Sequence, residues 1–96
     1  ELATCAQYGI HPVVLMFNDN AWGVLKGFQG DRFGDNRRFA TDLVNPDFVK
    51  IFESYGFEGT KVSNVKDLGK ALESAVASGK THLVEVQTPD GFGALT

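Results

Sequence analysis

The sequence predicts an α/β fold, a parallel sheet with helices on both faces. Three observations carry this expectation. Apolar segments alternate with stretches of helical spacing, in the order helix, strand, helix, loop, helix, strand, helix, strand. Strands separated by helices require right-handed crossovers, and therefore a parallel sheet. The run Val13-Val14-Leu15-Met16-Phe17 has no polar alternation, which is the pattern of a strand buried on both faces. Gly9, Gly56 and Gly79 each follow a stretch of helical spacing, as left-handed C-caps do. Three strands make a thin sheet whose edges lack neighbours. The fold is therefore expected to be an incomplete portion of a wider domain, or to complete itself by association.

Leu2, Cys5, Ala6 and Gly9 lie at helical spacing, but no capping residue and no Met precede them. Residues 1–9 are read as the end of a helix belonging to a longer protein. Ile10-His11-Pro12 is a turn, because proline disfavours helix in the residue before it. The strand Val13 to Phe17 follows. From Ala21 to about Gln29 the spacing is helical, with Trp22, Leu25 and Phe28 or Gln29 on one side. Gly30 to Arg38 is polar, glycine-bearing and aperiodic, and reads as an irregular surface loop.

Asn45 as N-cap and Pro46 at the first helical position open the next helix. Its buried stripe is Phe48, Val49, Phe52 and Tyr55, and Gly56 ends it. A strand around Phe57 to Val62 follows. Ser63 or Asn64 caps another helix, with Asp67 near its positive end. Val65, Leu68, Ala71, Leu72, Ala75 and Val76 make its apolar face, and Gly79 closes it. His82 to Val86 is the last strand, and Pro89 to Thr96 is a tail.

Composition excludes several classes. Of 96 residues, 43% are hydrophobic and 22% charged, the balance of a folded chain rather than a disordered one. The net charge of -3 and the scattered basic residues lack the footprint of a nucleic-acid binder. No apolar run is long enough for a membrane span, and no signal segment opens the chain. A single cysteine, Cys5, permits no internal disulfide. This suits a reducing compartment, so a cytoplasmic location is expected.

The chemistry is expected at Asn18-Asp19-Asn20, because ligands of parallel sheets bind outside the carboxyl ends of the strands. Asp19 is a hard, charged oxygen ligand of the kind magnesium takes alongside phosphates and water. Asn18 and Asn20 offer amide oxygens, and Ala21 a loop carbonyl. A helix starting near Ala21 points its free N–H groups at the same place, where phosphate is attracted. The same three residues also make an ordinary turn with an N-cap, and the motif alone leaves both readings open.

A wider set of residues narrows the choice. Glu1-Leu2-Ala3-Thr4, Gln7-Tyr8-Gly9-Ile10 and Asn18-Asp19-Asn20-Ala21-Trp22-Gly23 are followed by Ala40-Thr41-Asp42-Leu43-Val44-Asn45-Pro46-Asp47-Phe48-Val49. Tyr55-Gly56-Phe57, Asp67-Leu68 and Leu83-Val84-Glu85-Val86 complete the series. Over almost its whole length the chain resembles the diphosphate-binding domain of thiamine diphosphate-dependent enzymes. The similarity is to the acetolactate synthase, pyruvate oxidase and benzoylformate decarboxylase type.

The resemblance implies that residues 1–96 are the C-terminal portion of that domain, with thiamine diphosphate and Mg2+ as cofactors. It implies that Asp19 and the Ala21 carbonyl bind the metal, while Asn18, Asn20, Trp22 and Gly23 line the diphosphate. Asp19 stands where the family commonly has asparagine. The Gly-Asp-Gly that opens the family's motif is absent from these residues, and would lie upstream of Glu1. The parent enzyme would act on a 2-oxo acid as decarboxylase, oxidase or carboligase, as a homo-oligomer, dimer or tetramer. It would involve neither nucleic acid nor membrane. No catalytic residue is assigned: Glu1, Glu53 and Glu85 do not match the glutamate that activates the cofactor, and the chain alone is expected to have no turnover. The competing expectation is a non-catalytic α/β association module without cofactor.

Other residues receive plainer readings. Val24 and Leu25 either approach the substrate or pack in the core, and Trp22 either covers the cofactor or is packed. His11 is a surface residue, and His82 opens a strand with no partner readable. Cys5 is an inert buried thiol. Arg32, Arg37 and Arg38 belong to a solvated loop, and Gly91-Phe92-Gly93 is too short for a phosphate loop.

Overall fold

The computed structural model describes residues 1–88. Its elements are α1 (Leu2–Tyr8), β1 (Val13–Asn18), α2 (Gly23–Phe33), a 3-10 turn (Asp35–Arg37), α3 (Phe48–Ser54), β2 (Glu58–Val62), α4 (Val65–Ser78) and β3 (His82–Gln87). The expected tail from Pro89 to Thr96, with Gly91-Phe92-Gly93, lies outside the described residues. The chain divides into two units, one made of Glu1–Phe17 and Pro46–Gln87, the other of Asn18–Asn45 with Thr88.

The sheet has the order β1-β3-β2. β2 runs parallel to β3, with Glu58 opposite His82 and Val62 opposite Val86. On the other side of β3, the His82 N–H donates to the Pro12 carbonyl at 3.3 Å, and the Thr88 N–H to the Asn18 carbonyl at 2.9 Å. The offset is the same in both bonds, so this pair is parallel too.

Adjacent residues of a strand face opposite ways, and the sheet is covered accordingly. Val62, Val84 and Val86 pack with Ala75 of α4, joined by Val13, Leu68, Ala71 and Leu72. Gly59 and its neighbour Leu83 face the other way, toward α3. A Cβ at Gly59 would come within 3.0 Å of the Val49 side chain, so glycine lets α3 lie close to the sheet. The predicted parallel sheet with helices on both faces is what the structure shows.

The strands differ in burial. β1, whose unbroken apolar run fits a strand buried on both faces but whose apolar surface a sheet of three strands is expected to leave short of neighbours, is half-exposed, with Leu15 at 40% and Phe17 at 56%. β3 is buried from His82 through Val86. Position in the sheet decides this: β3 has a strand on each side, whereas among the described residues β1 pairs only with β3. Two polar residues are carried inside as a result. His82 has its Nε2 2.9 Å from Thr60 Oγ1 and its Nδ1 3.6 Å from Glu58 Oε2, so it does have partners. Glu85 is buried with it.

Helix ends follow local chemistry. Gly9 closes α1 in the left-handed conformation, as predicted, and so does Gly79 at the end of α4. No residue of α1 is buried, so Cys5 is a half-buried free thiol rather than a core one. α3 starts later than predicted. Its N-cap is Asp47, whose Oδ1 accepts the Lys50 N–H at 3.2 Å, and not Asn45. Pro46 biases Asn45 toward an extended backbone, and Asp47 carries an equally good capping oxygen.

Phe52 is the buried anchor of α3. Tyr55, expected in the same stripe, is exposed, with its ring stacked 6.2 Å from that of Phe57. On α4, Asn64 is the cap, accepting the Asp67 N–H at 2.8 Å. Val65 and Val76, expected on the buried face, are 85% and 69% exposed. Both fall about a quarter turn from the centre of the stripe formed by Leu68, Ala71, Leu72 and Ala75. Among the described residues no helix is long and apolar enough to cross a membrane.

Candidate functional site

The candidate site lies in the second unit, where β1 ends and the chain must turn into α2. Short polar side chains make that turn. Asn18 Oδ1 accepts the Asn20 N–H at 2.9 Å, and Asp19 Oδ1 accepts the Ala21 N–H at 3.1 Å. These are two overlapping turns in which side-chain oxygens stand in for backbone carbonyls. Asn20 has φ 56, a left-handed conformation that asparagine tolerates better than most residues.

A strap of residues 39–45 holds the corner. The Trp22 N–H donates to the Thr41 carbonyl at 2.7 Å, and the Leu43 N–H to the Asn20 carbonyl at 2.8 Å. They flank an antiparallel bridge between Ala21 and Asp42. Neither bond uses Ala21, whose carbonyl is left outside the ladder. Asn45 Nδ2 donates to both Asn18 Oδ1 and Asn20 Oδ1, each at 3.0 Å. From α2, the buried Lys26 ammonium reaches Asp42 Oδ1 at 2.6 Å. Gln29 donates to the Phe39 carbonyl at 3.0 Å and accepts the Phe39 N–H at 2.9 Å.

α2 begins at Gly23, two residues later than predicted, because the bonds of Ala21 and Trp22 are committed to the turn and the strap. It also runs on to Phe33, through part of the stretch read as a loop, and Asp35–Arg37 adds a 3-10 turn. Gly30 leaves room inside this helix for a side-chain pair. A Cβ there would come within 2.6 Å of both Arg38 and Asp35, which pair at 3.0 Å. Polarity and glycine signalled a loop where they serve a helix packed against an ion pair.

Trp22, Leu25 and Phe28 share a side of α2, but they do not pack inward. They are 61%, 54% and 61% exposed, and Val24 is 54% exposed. With Ala21 and Gly23 they line an open groove. Within the described residues Trp22, Val24 and Leu25 are not packed in a core, and the buried residue of α2 is Lys26.

Gly23 and Asp19 are coupled sterically. A Cβ at Gly23 would overlap Asp19 Oδ2, so the carboxylate rests against the first residue of α2, at the helix's positive end. The corner thus gathers one carboxylate, the Asn20 amide oxygen and the Ala21 carbonyl, all hard oxygen donors. Among the described residues no group of three or more His, Cys, Asp or Glu could hold a metal ion. A sparse oxygen set of this kind suits magnesium, which keeps waters and takes phosphate oxygens as further ligands.

Of the six residues singled out from the sequence, all fall within this corner. Asn18 is engaged in shaping it, since its Oδ1 accepts two bonds. Sequence reading missed Lys26, Gln29, Asp42 and Asn45. Asn45 was hidden by looking like a cap, and the others gave no local signal. His11, at the surface as expected, has its Nδ1 3.4 Å from Thr81 Oγ1. Arg32 and Arg37 are exposed, and Arg38 is paired with Asp35.

Comparison with known proteins assigns the chain to a family. Residues 1–86 match the family described as thiamine pyrophosphate enzyme, C-terminal TPP binding domain. The chain is similar to the acetolactate synthase large subunit of Parasynechococcus marenigrum, at 31% identity over 93 residues, covering 95% of this chain and 15% of that protein. It is similar to the indole-3-pyruvate decarboxylase of Azospirillum brasilense, at 32% identity over 92 residues, covering 95% and 16%. Among solved structures it is similar to the thiamine diphosphate-dependent 4-hydroxybenzoylformate decarboxylase of Rhodococcus jostii RHA1. That match has a TM-score of 0.77 and 34% identity, and covers 93% of this chain and 17% of the other. The chain therefore spans about a sixth of the length of these relatives.

Proposed function

The chain belongs to the thiamine pyrophosphate enzyme family, matching its C-terminal TPP-binding domain, and from that premise we propose that the Asn18–Gly23 corner holds the magnesium ion and diphosphate of thiamine diphosphate. Asp19 and the Ala21 carbonyl are the metal ligands in this reading. Asn20, Trp22 and Gly23 line the diphosphate, and Asn18 shapes the turn beside it. The observation that supports it most is the Ala21 carbonyl left outside the bridge, beside a carboxylate that rests in the space a side chain at position 23 would fill.

The family's cofactor, when bound, supplies the carbanion chemistry next to a substrate carbonyl, and the protein orients it. This chain's own residues do the holding. Asp19 contributes negative charge to a cation that offsets the diphosphate. The N-terminal N–H groups of α2 face the same anion. Trp22, Val24, Leu25 and Phe28 offer an apolar wall that excludes water from its surroundings.

The substrate in this reading is a 2-oxo acid, with decarboxylation or carboligation as the reaction. The names of the similar proteins, an acetolactate synthase subunit and two decarboxylases, support that range. Gly-Asp-Gly is not among these 96 residues. The proposal therefore gives the chain the second half of the metal motif, as the C-terminal portion of the domain, and no catalytic residue. A homo-oligomeric parent enzyme in the cytoplasm goes with it, supported by the exposed apolar side chains of α2 and the free thiol of Cys5.

The test is Asp19→Ala in the full-length enzyme, with Mg2+ titrated at saturating thiamine diphosphate. Affinity for the metal should fall about 100-fold, equivalent to roughly 2.7 kcal/mol. The fluorescence change of Trp22 on adding cofactor with Mg2+, identified by its loss in Trp22→Phe, should disappear. Unchanged metal affinity in Asp19→Ala would overturn the reading. An association module would show no cofactor response in the wild-type protein either.

A further inference from the structure

We propose that Asn45, far from the corner in sequence, is its positioning residue: its amide locks Asn18 and Asn20, and so, through the Ala21 N–H that Asp19 accepts, holds the Asp19 carboxylate in place. This inference rests on the cofactor reading above.

The amide orientation of Asn45 follows from its neighbours. Asn18 Oδ1 must face the Asn20 N–H, which can only donate, at 2.9 Å. The group that Asn45 turns toward the same oxygen must therefore be its NH2, which donates at 3.0 Å. The NH2 carries two hydrogens, and the second serves Asn20 Oδ1 at 3.0 Å. One planar donor thus ties two acceptors that belong to successive turns.

What this fixes is Asn20. Its N–H is held by Asn18, its carbonyl by Leu43, and its side-chain oxygen by Asn45. Its φ of 56 is unfavourable for a residue with a Cβ, so three simultaneous bonds maintain a backbone that would otherwise relax. The peptide after Asn20 then has one orientation, with its carbonyl on the Leu43 N–H and its Ala21 N–H on Asp19 Oδ1; the next peptide, which carries the Ala21 carbonyl, is set separately by the Trp22 N–H on the Thr41 carbonyl. Asn45 itself is no ligand, since its nitrogen is a donor and is turned to protein oxygens.

Asn45→Asp keeps the shape but replaces the donor with a carboxylate oxygen facing two acceptors. Asn45→Ala removes the donor without adding charge. Both are to be made in the full-length enzyme beside Asp19→Ala. Mn2+ binding at saturating thiamine diphosphate, read by electron paramagnetic resonance, gives the affinity per folded molecule. Both Asn45 variants should bind Mn2+ about tenfold more weakly, the size typical of groups that orient a ligand rather than bind the metal. Their kcat at saturating metal and cofactor should stay within about twofold of wild type, because positioning is lost and no reacting group is.

Lowering the pH toward 5 should recover affinity, relative to wild type at the same pH, in Asn45→Asp alone. Its carboxyl regains a donor on protonation, a response that a merely structural residue would not give. Wild-type Mn2+ affinity in both Asn45 variants, with Asp19→Ala impaired, overturns the inference and leaves the cofactor reading standing. An unimpaired Asp19→Ala overturns both. A loss that tracks only the folded fraction, measured by thermal unfolding of the metal-free enzyme, also overturns the role of Asn45.

Discussion

The two units of this chain are held together by different kinds of interaction. In the first, valines, leucines and alanines from the three parallel strands and α4 form an apolar cluster, and polar groups mostly cap helix ends. In the second, side-chain amides, two carboxylates and an ammonium do most of the tying, through bonds to backbone and to one another. Its large apolar side chains meanwhile stand exposed on α2. The contrast shows where shape matters more than stability. Apolar burial is non-directional and tolerates small displacements, while hydrogen bonds fix atoms to within a few tenths of an ångström. The ligand set proposed for the corner, a carboxylate and a carbonyl at set positions, is better held by the second kind.

The two helices repeat the comparison. α4 has a side-chain cap from Asn64 and an apolar face against the sheet. α2 has no side-chain cap, and its buried residue is a lysine. α4 is held by what it covers. α2 is held by its neighbours in the strap, and its open N-terminal end faces the corner.

Three substitutions would break or sharpen this contrast. The largest effect is expected from Leu83→Ala, which opens a cavity in the centre of β3, where Leu83 is fully buried. It should cost about 2–5 kcal/mol, measured by amide hydrogen exchange of β3 in the full-length protein. Affinity for Mg2+ per folded molecule should be unchanged; a parallel loss of affinity would show that the two units are not energetically separate.

Gly23→Ala should do the reverse. Helix propensity alone predicts a gain of roughly 0.5–1 kcal/mol, and Asp19 Oδ2 occupies the space the new methyl needs. Metal affinity should fall about tenfold as the carboxylate is displaced, with unfolding changed by less than about 1 kcal/mol. Metal binding at wild-type strength in this variant would mean that the position of the carboxylate is unimportant. The smallest effect is that of Asn64→Ala, which removes the bond to the Asp67 N–H. It should destabilise by about 1 kcal/mol and leave cofactor binding untouched, as a thermal shift and a metal titration would show.

The legible parts of this molecule are those set by near neighbours along the chain. Gly9 and Gly79 end helices because a left-handed residue is needed there, and glycine supplies it wherever the helix packs. The Asn18-Asp19-Asn20 corner was legible because asparagine and aspartate bond their own backbone two residues on. Alternation of strand and helix carried the parallel sheet and its covering, which depend on chain connectivity. The extra turn of α2 was not legible: the ion pair between Asp35 and Arg38 that lies over Gly30 has no period to detect.

From the sequence alone came the order of elements, the layered parallel architecture and the corner where the site is expected, since all follow from local backbone chemistry and the spacing of apolar residues. Only the tertiary structure decided that β3 rather than β1 is the buried strand, that Asp47 rather than Asn45 caps α3, and that Asn45 instead reaches back to Asn18 and Asn20. Those outcomes depend on which segments meet in space, and a side chain's partner across two dozen residues leaves no trace in its immediate neighbours.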